Sequence, residues 1–106
     1  MRILLDECVH AGARGAFPGH LVETVPQAGW SGIKNGKLLQ LINAAGYDAF
    51  VTIDQNLRYQ QNLSALNFAI IVLSIKDHTI GSYLPLFELL RKAVETSRAG
   101  DILLVP

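Results

Sequence analysis

Two short stretches ending in carboxylates carry the chemistry that this chain is equipped to do. Asp6 and Glu7 follow the apolar run Ile3-Leu4-Leu5, and Asp54 closes Thr52-Ile53-Asp54 directly after Ala49-Phe50-Val51. Apolar runs of this length read as buried strands, so each acid stands where a strand ends. Ligands of open parallel sheets bind beyond the carboxyl ends of the strands. If these two strands are neighbours, their carboxylates converge on one crevice. Convergent oxygen ligands suit a hard divalent cation, Mg²⁺ or Mn²⁺, which binds through a few carboxylates while keeping several waters. Two such ions would clamp a phosphodiester and activate water.

The same rule confines the remaining candidates to residues just after a strand or at the entry of the next helix. They are His10; then Trp30, Lys34 and Asn35; then Asn56, Arg58 and Tyr59 beyond Asp54; and Ser74, Lys76, Asp77 and His78 after the fourth strand. Each has a plainer reading beside it. Asp6 and Asp54 precede helices, and an Asp N-cap contributes about 1 kcal/mol without any ligand. Glu7 suits either a metal or the first turn of a helix, where the dipole favours an acid. Asp48 and Asp101 begin strands on the opposite edge and read as turn residues, and Asp77 reads as a loop residue. Trp30, the single Trp, lies in the loop Pro26–Lys34 and marks either a satellite core or a partner-binding surface. The run Asn56-Leu57-Arg58-Tyr59-Gln60-Gln61-Asn62 offers groups to hold a phosphate or stack on a base, or simply a solvated helix face.

Other residues argue against other chemistries. Cys8 is the only Cys, so it forms no internal disulfide, and it reads as a small core residue. The three His residues have no ligand spacing, and His20 reads as structural or solvent-exposed. Gly32-Ile33-Lys34-Asn35-Gly36-Lys37-Leu38 falls one residue short of a P-loop and lacks the following Ser or Thr, while Gly12 and Gly15 do not complete a dinucleotide fingerprint.

The elements that must position these residues alternate between short apolar runs and helix-like segments, the pattern of a parallel sheet with crossover helices. Strands are predicted at Arg2–Leu5, His20–Val25, Asp48–Ile53, Phe68–Ser74 and Asp101–Val105. Helices are predicted at His10–Phe17, at Gly36–Ala45 with Asn35 as cap and Gly46 as stop, at Gln55–Leu63 capped by Asp54, and at Ser82–Arg98, the longest. On the last, Tyr83, Leu86, Phe87, Leu90 and Val94 share a face, and Glu88–Lys92 and Arg91–Glu95 are spaced as ion pairs. The sum is a three-layer α/β domain.

At 106 residues the chain makes one domain. Half of its residues are hydrophobic and only 17% charged, so either the core is large or a partner covers part of the surface, and a homo-oligomer is expected. No apolar stretch spans a bilayer and no secretion signal precedes the acids, which points to a cytoplasmic protein without a membrane partner. Nine basic residues balance nine acidic ones, so no global field draws it onto nucleic acid, and any such contact must be local.

Ile3-Leu4-Leu5-Asp6-Glu7, then Ala28-Gly29-Trp30-Ser31-Gly32 leading into a helix, then Phe50-Val51-Thr52-Ile53-Asp54-Gln55-Asn56-Leu57, together resemble the short stand-alone branch of the PIN-like superfamily. The resemblance runs over essentially the whole chain. It implies a five-stranded, mainly parallel sheet in the order 3-2-1-4-5, an acid cluster binding Mg²⁺ or Mn²⁺, and cleavage of RNA, frequently as the toxin of a toxin–antitoxin pair. Asp6 matches the acid after strand one, Glu7 the acid often beside it, and Asp54 the acid of the T-x-D motif. Asn35 and Asn56 stand where the branch commonly has further acids. Asn ligates through its carbonyl, but each replacement removes a charge from a hard-cation site, which implies one metal rather than two, weak activity or lost catalysis.

Three functions follow. The first is a metal-dependent ribonuclease in which Asp6 and Asp54 hold the ion, Glu7 and Asn56 complete or orient its shell, Arg58 or Lys76 neutralises the phosphate, and Asn35 and Tyr59 contact substrate. The second is a catalytically silent PIN-like module that binds RNA or a small antitoxin-like protein through Trp30 and the polar helix. The third is a phosphoacceptor receiver domain, which also has acids after its first and third strands but needs a Lys after its last, where this sequence has Val105-Pro106.

Overall fold

The computed structural model describes residues 1–59, 63–77 and 79–106, with the side chains of all of these except Asn35, Arg58, Tyr59 and Ser64. Strands β1 (Arg2–Leu5), β2 (Leu21–Thr24), β3 (Ala49–Thr52), β4 (Ala69–Leu73) and β5 (Ile102–Val105) form one sheet in the order β2-β1-β3-β4-β5. Every neighbouring pair is parallel. Among the described residues the connections are made by helices α1 (Asn35–Ala45), α2 (Ile80–Tyr83) and α3 (Phe87–Thr96), with 3₁₀ turns at Ala11–Ala16, Gln55–Tyr59, Leu63–Ala65 and Leu84–Leu86. None of these helices is long and apolar enough to cross a membrane.

The order corrects the 3-2-1-4-5 arrangement that the resemblance implied. Burial gives the physical reason. All four β3 residues and all five β4 residues are buried, as interior strands covered on both faces require, whereas β2 is exposed at Leu21 and only half-buried beyond it, as an edge strand can be. The correction matters for the acids. In the implied order the strand before Thr52-Ile53-Asp54 would lie two places from β1, but here it lies beside it.

Alternation along the strands divides the core in two. Ile3, Leu5, Val51 and Ile71 face the Ala11–Ala16 turn, α2 and α3, packing with Ala13, Phe17, Tyr83, Leu90 and Val94. Leu4, Phe50, Ile70 and Val72 face the other way, against Leu38, Leu39 and Ile42 of α1 and Leu57 and Leu63 of the 3₁₀ turns.

The predicted elements are present with changes of detail. The first helix is a 3₁₀ turn, and α1 begins at Asn35 itself, so Lys34 rather than Asn35 holds the cap position; Gly46 ends the helix with φ 80°. Where the sequence predicts a helix over Gln55–Leu63, Gln55–Tyr59 and Leu63–Ala65 are 3₁₀ turns, and residues 60–62 lie outside the described set. The helix predicted over Ser82–Arg98 is broken, because Pro85 has no N–H to give and imposes a 3₁₀ turn between α2 and α3. Its apolar face survives the break: Tyr83, Leu90 and Val94 are fully buried. Glu88 pairs with Lys92 at 3.4 Å as expected, but Arg91 also turns to Glu88, at 4.0 Å, and Glu95 takes His20 instead, at 3.0 Å.

Candidate functional site

Strand register brings the two acid-bearing segments together. Leu5 pairs with Val51, and the Asp6 N–H donates to the Val51 carbonyl at 2.9 Å, so the ladder continues one residue past β1. Leu4 and Phe50 face α1, and by alternation Asp6 and Thr52 face the same way. There the Thr52 hydroxyl donates to Asp6 Oδ2 at 2.7 Å. Thr52 Oγ1 in turn accepts the Asp54 backbone N–H at 3.1 Å, so one hydroxyl ties the end of β1 to the turn that carries the second acid. Thr52 is wholly buried and Asp6 is 7% exposed. Because β2 lies on one side of β1 and β3 on the other, this is also the topological switch point of the sheet, where ligands of doubly wound folds bind.

Helix capping does not account for Asp6. The Ala11–Ala16 turn is capped by His10, whose Nδ1 accepts the Gly12 N–H at 2.9 Å. Asp6 Oδ1 instead accepts the N–H of Glu7 at 2.8 Å. Capping does describe Asp54, whose Oδ1 accepts the Asn56 N–H at 2.9 Å at the head of the Gln55–Tyr59 turn. Asp54 is half-buried and Asn56 exposed beside it.

Glu7 is exposed, and both of its carboxylate oxygens lie 3.3 Å from the backbone nitrogen of Gly32. Cys8 is exposed too, contrary to the core position predicted for it. Its sulfur nonetheless rests 3.9 Å from Thr52 Oγ1, and partial loss of solvent there, with the Asp6 charge adding to it, pushes the thiol above its ordinary range.

The other predicted residues are spread over both ends of the sheet and its loops. Lys76 is exposed past the end of β4. Trp30 is half-buried, edge-on to Tyr47 with ring centroids 6.1 Å apart, and belongs to the α1-side core. The Asn35 backbone opens α1, and those of Arg58 and Tyr59 lie in the Gln55–Tyr59 turn, while their side chains, like Gln60, Gln61, Asn62 and His78, are outside the description. Asp48 and Asp101 are turn residues, accepting the backbone N–H groups of Arg2 and Arg98, and Asp77 accepts that of Thr79. The groove of about 250 Å³ between Gly15, Pro18, Phe87 and Arg91 is lined by none of the strand-end acids.

Thr52 is the residue whose part was not assigned from sequence. Its signal was the two-residue step to Asp54, which puts both on one face of the strand. For a cation the donor set is lean. No three His, Cys, Asp or Glu side chains among the described residues are grouped to hold an ion. Each carboxylate oxygen has more than one acceptor position, so the bonds at Asp6 leave it able to accept another donor or a cation, and carboxylate oxygens are the donor type that Mg²⁺ and Mn²⁺ take. Comparison with family models, with curated proteins and with solved structures gave no match.

Proposed function

We propose that this protein is a PIN-like, three-layer α/β/α domain that hydrolyses RNA phosphodiester bonds with Mg²⁺ or Mn²⁺, acting as the toxin of a cytoplasmic toxin–antitoxin pair. The observation that carries the reading is a buried carboxylate with no capping duty, Asp6, held by Thr52 at the switch point beside Asp54. Burying a carboxylate is costly unless hydrogen bonds compensate it, as the Thr52 hydroxyl and Glu7 N–H do here, and acids at strand ends are where α/β domains place ligands. The two apolar cores on opposite faces of the sheet support the layer assignment.

In this reading Asp6 and Asp54 hold the ion, with the Asn56 carbonyl available at the exposed side. Bound there, the cation would supply Lewis-acid polarisation of a phosphoryl oxygen and a water acidified toward neutrality. Thr52 fixes the Asp6 rotamer, and the Glu7 N–H fixes its other oxygen. Lys34, Lys37 and Lys76, all exposed, neutralise the RNA backbone together with Arg58, while Tyr59 contacts the substrate. Calorimetric titration of Mn²⁺ into the wild type and Asp6→Asn, paired with an RNA cleavage screen, tests the assignment. Binding and cleavage are expected to disappear together in the variant; Mn²⁺-dependent cleavage retained by Asp6→Asn rejects it.

The lean donor set favours a second reading, a catalytically silent module of the same fold that binds RNA or a small antitoxin-like protein. Nuclease turnover that is lost in Asp54→Ala would sink it. The strand order is shared with phosphoacceptor receivers, and that alternative is tested by phosphate uptake from a small phosphodonor.

A further inference from the structure

The chain from Pro26 to Lys34 leaves β2 at the same end of the sheet as Asp6, since Thr24 pairs with Leu5 and the Val25 N–H donates to the Leu5 carbonyl at 2.9 Å. Its two halves are held differently. The first half is knitted to itself: Ala28 N–H to Thr24, Gly29 N–H to Pro26, Trp30 N–H to Val25, and Gln27 bonded both ways with Thr24. In the second half only Ile33 is half-buried, packed against the α1-side core with its N–H donating to the Trp30 carbonyl at 3.1 Å. Ser31, Gly32 and Lys34 are exposed, and a Cβ at Gly32 would meet nothing within 4 Å. What reaches it from across the crevice is the Glu7 carboxylate, which receives the Gly32 N–H between its two oxygens at 3.3 Å each.

We infer that Glu7 is a positioning residue rather than an ion ligand: its carboxylate tethers Gly32 and so sets where the loop, and the start of α1 that follows it, stand relative to Asp6. The residue after the buried acid thereby serves in two directions. Its backbone N–H orients Asp6, and its side chain orients the loop. Because Lys34 and Asn35 follow Gly32 within three residues, the tether places a substrate-facing edge beside the acids. That last consequence rests on the nuclease reading; the tether itself does not.

Trp30, the single Trp, lies two residues from the tethered amide and reports on the loop without a label. Gly32 has φ 79°, so a substitution there would strain the backbone and confuse the result, and the test is made through the exposed Glu7. Amide exchange at Gly32, Trp30 emission, Mn²⁺ affinity and RNA cleavage kinetics are compared among wild type, Glu7→Ala, Glu7→Gln and Asp6→Asn. Loss of a charge-assisted bond predicts roughly tenfold faster exchange at Gly32 in Glu7→Ala, with altered Trp30 emission, and partial recovery in Glu7→Gln, whose amide oxygen still accepts. Mn²⁺ affinity in Glu7→Ala stays within about twofold of wild type, and KM rises more than kcat falls. Unchanged Gly32 exchange in Glu7→Ala overturns the tether, and Mn²⁺ binding lost as completely as in Asp6→Asn makes Glu7 a ligand instead. A wild type that neither binds Mn²⁺ nor cleaves RNA refutes the nuclease reading, and the exchange rates still decide the tether.

Discussion

Thr52 shows how much one hydroxyl can organise when it is shut away from water. Thr52→Val keeps the shape but leaves Asp6 Oδ2 without its donor, and a buried acceptor left in this state costs about 1–3 kcal/mol; urea unfolding should register that loss, and Thr52→Ser should avoid most of it. Cys8 is exposed yet reluctant to ionise, so alkylation by a thiol reagent at neutral pH is expected to be slower than for a free thiol in solution. Asp6→Asn, by removing the neighbouring negative charge, should quicken it. At the far end of the molecule the His20 hydrogen bond, more than the Arg91 charge, holds the Glu95 carboxyl below its usual 4.5. A carboxyl with a lowered folded pKa favours the native state above its unfolded value, and that contribution is lost as pH falls through the lowered one. In His20→Ala, a carboxyl titration followed by NMR should show Glu95 moving back up toward 4.5.

At the scale of elements, α3 packs onto the sheet through Leu90 and Val94. Leu90 is fully buried against the sheet, so Leu90→Ala should cost about 2–5 kcal/mol in chemical denaturation without touching the acids. The elements were legible in the sequence wherever hydrophobic pattern and chain punctuation agreed. The run Ala69–Leu73 could only be a covered strand, and Leu38, Leu39 and Ile42 before Gly46 could only be a packed helix with a stop. The break at Pro85 was also written there, but the apolar face of Tyr83, Leu86, Phe87, Leu90 and Val94 continues through it and masks the missing N–H. Sheet order was not legible, because it depends on which faces each strand can afford to leave uncovered, a property of pairs rather than of one run. The candidate site was half legible. Asp6 and Asp54 stood at strand ends by position alone, whereas the Thr52 bridge and the reach of Glu7 to Gly32 depend on register and on a loop path that no local pattern encodes.

Over the whole molecule, charge is balanced, so any grip on RNA must be local and shallow in its response to salt. If Lys34, Lys37, Lys76 and Arg58 are the cations engaged, the logarithm of the single-strand association constant should fall with the logarithm of salt concentration with a slope of about −3, measurable by fluorescence anisotropy. A much steeper slope would mean that a wider basic surface is in use. The place of β1 between its two partners also bears on synthesis. Arg2 pairs with Leu21 and Ile3 with Ala49, so β1 is translated well before either neighbour, and at about 5–20 residues per second it waits seconds for the inner one. Until Thr52 has left the ribosome, Asp6 lacks the hydroxyl that holds it, and β1 has at most β2 beside it. A nascent chain therefore lacks the bond that holds Asp6 until Thr52 has emerged, and whatever the acids do begins only once the sheet has closed around them.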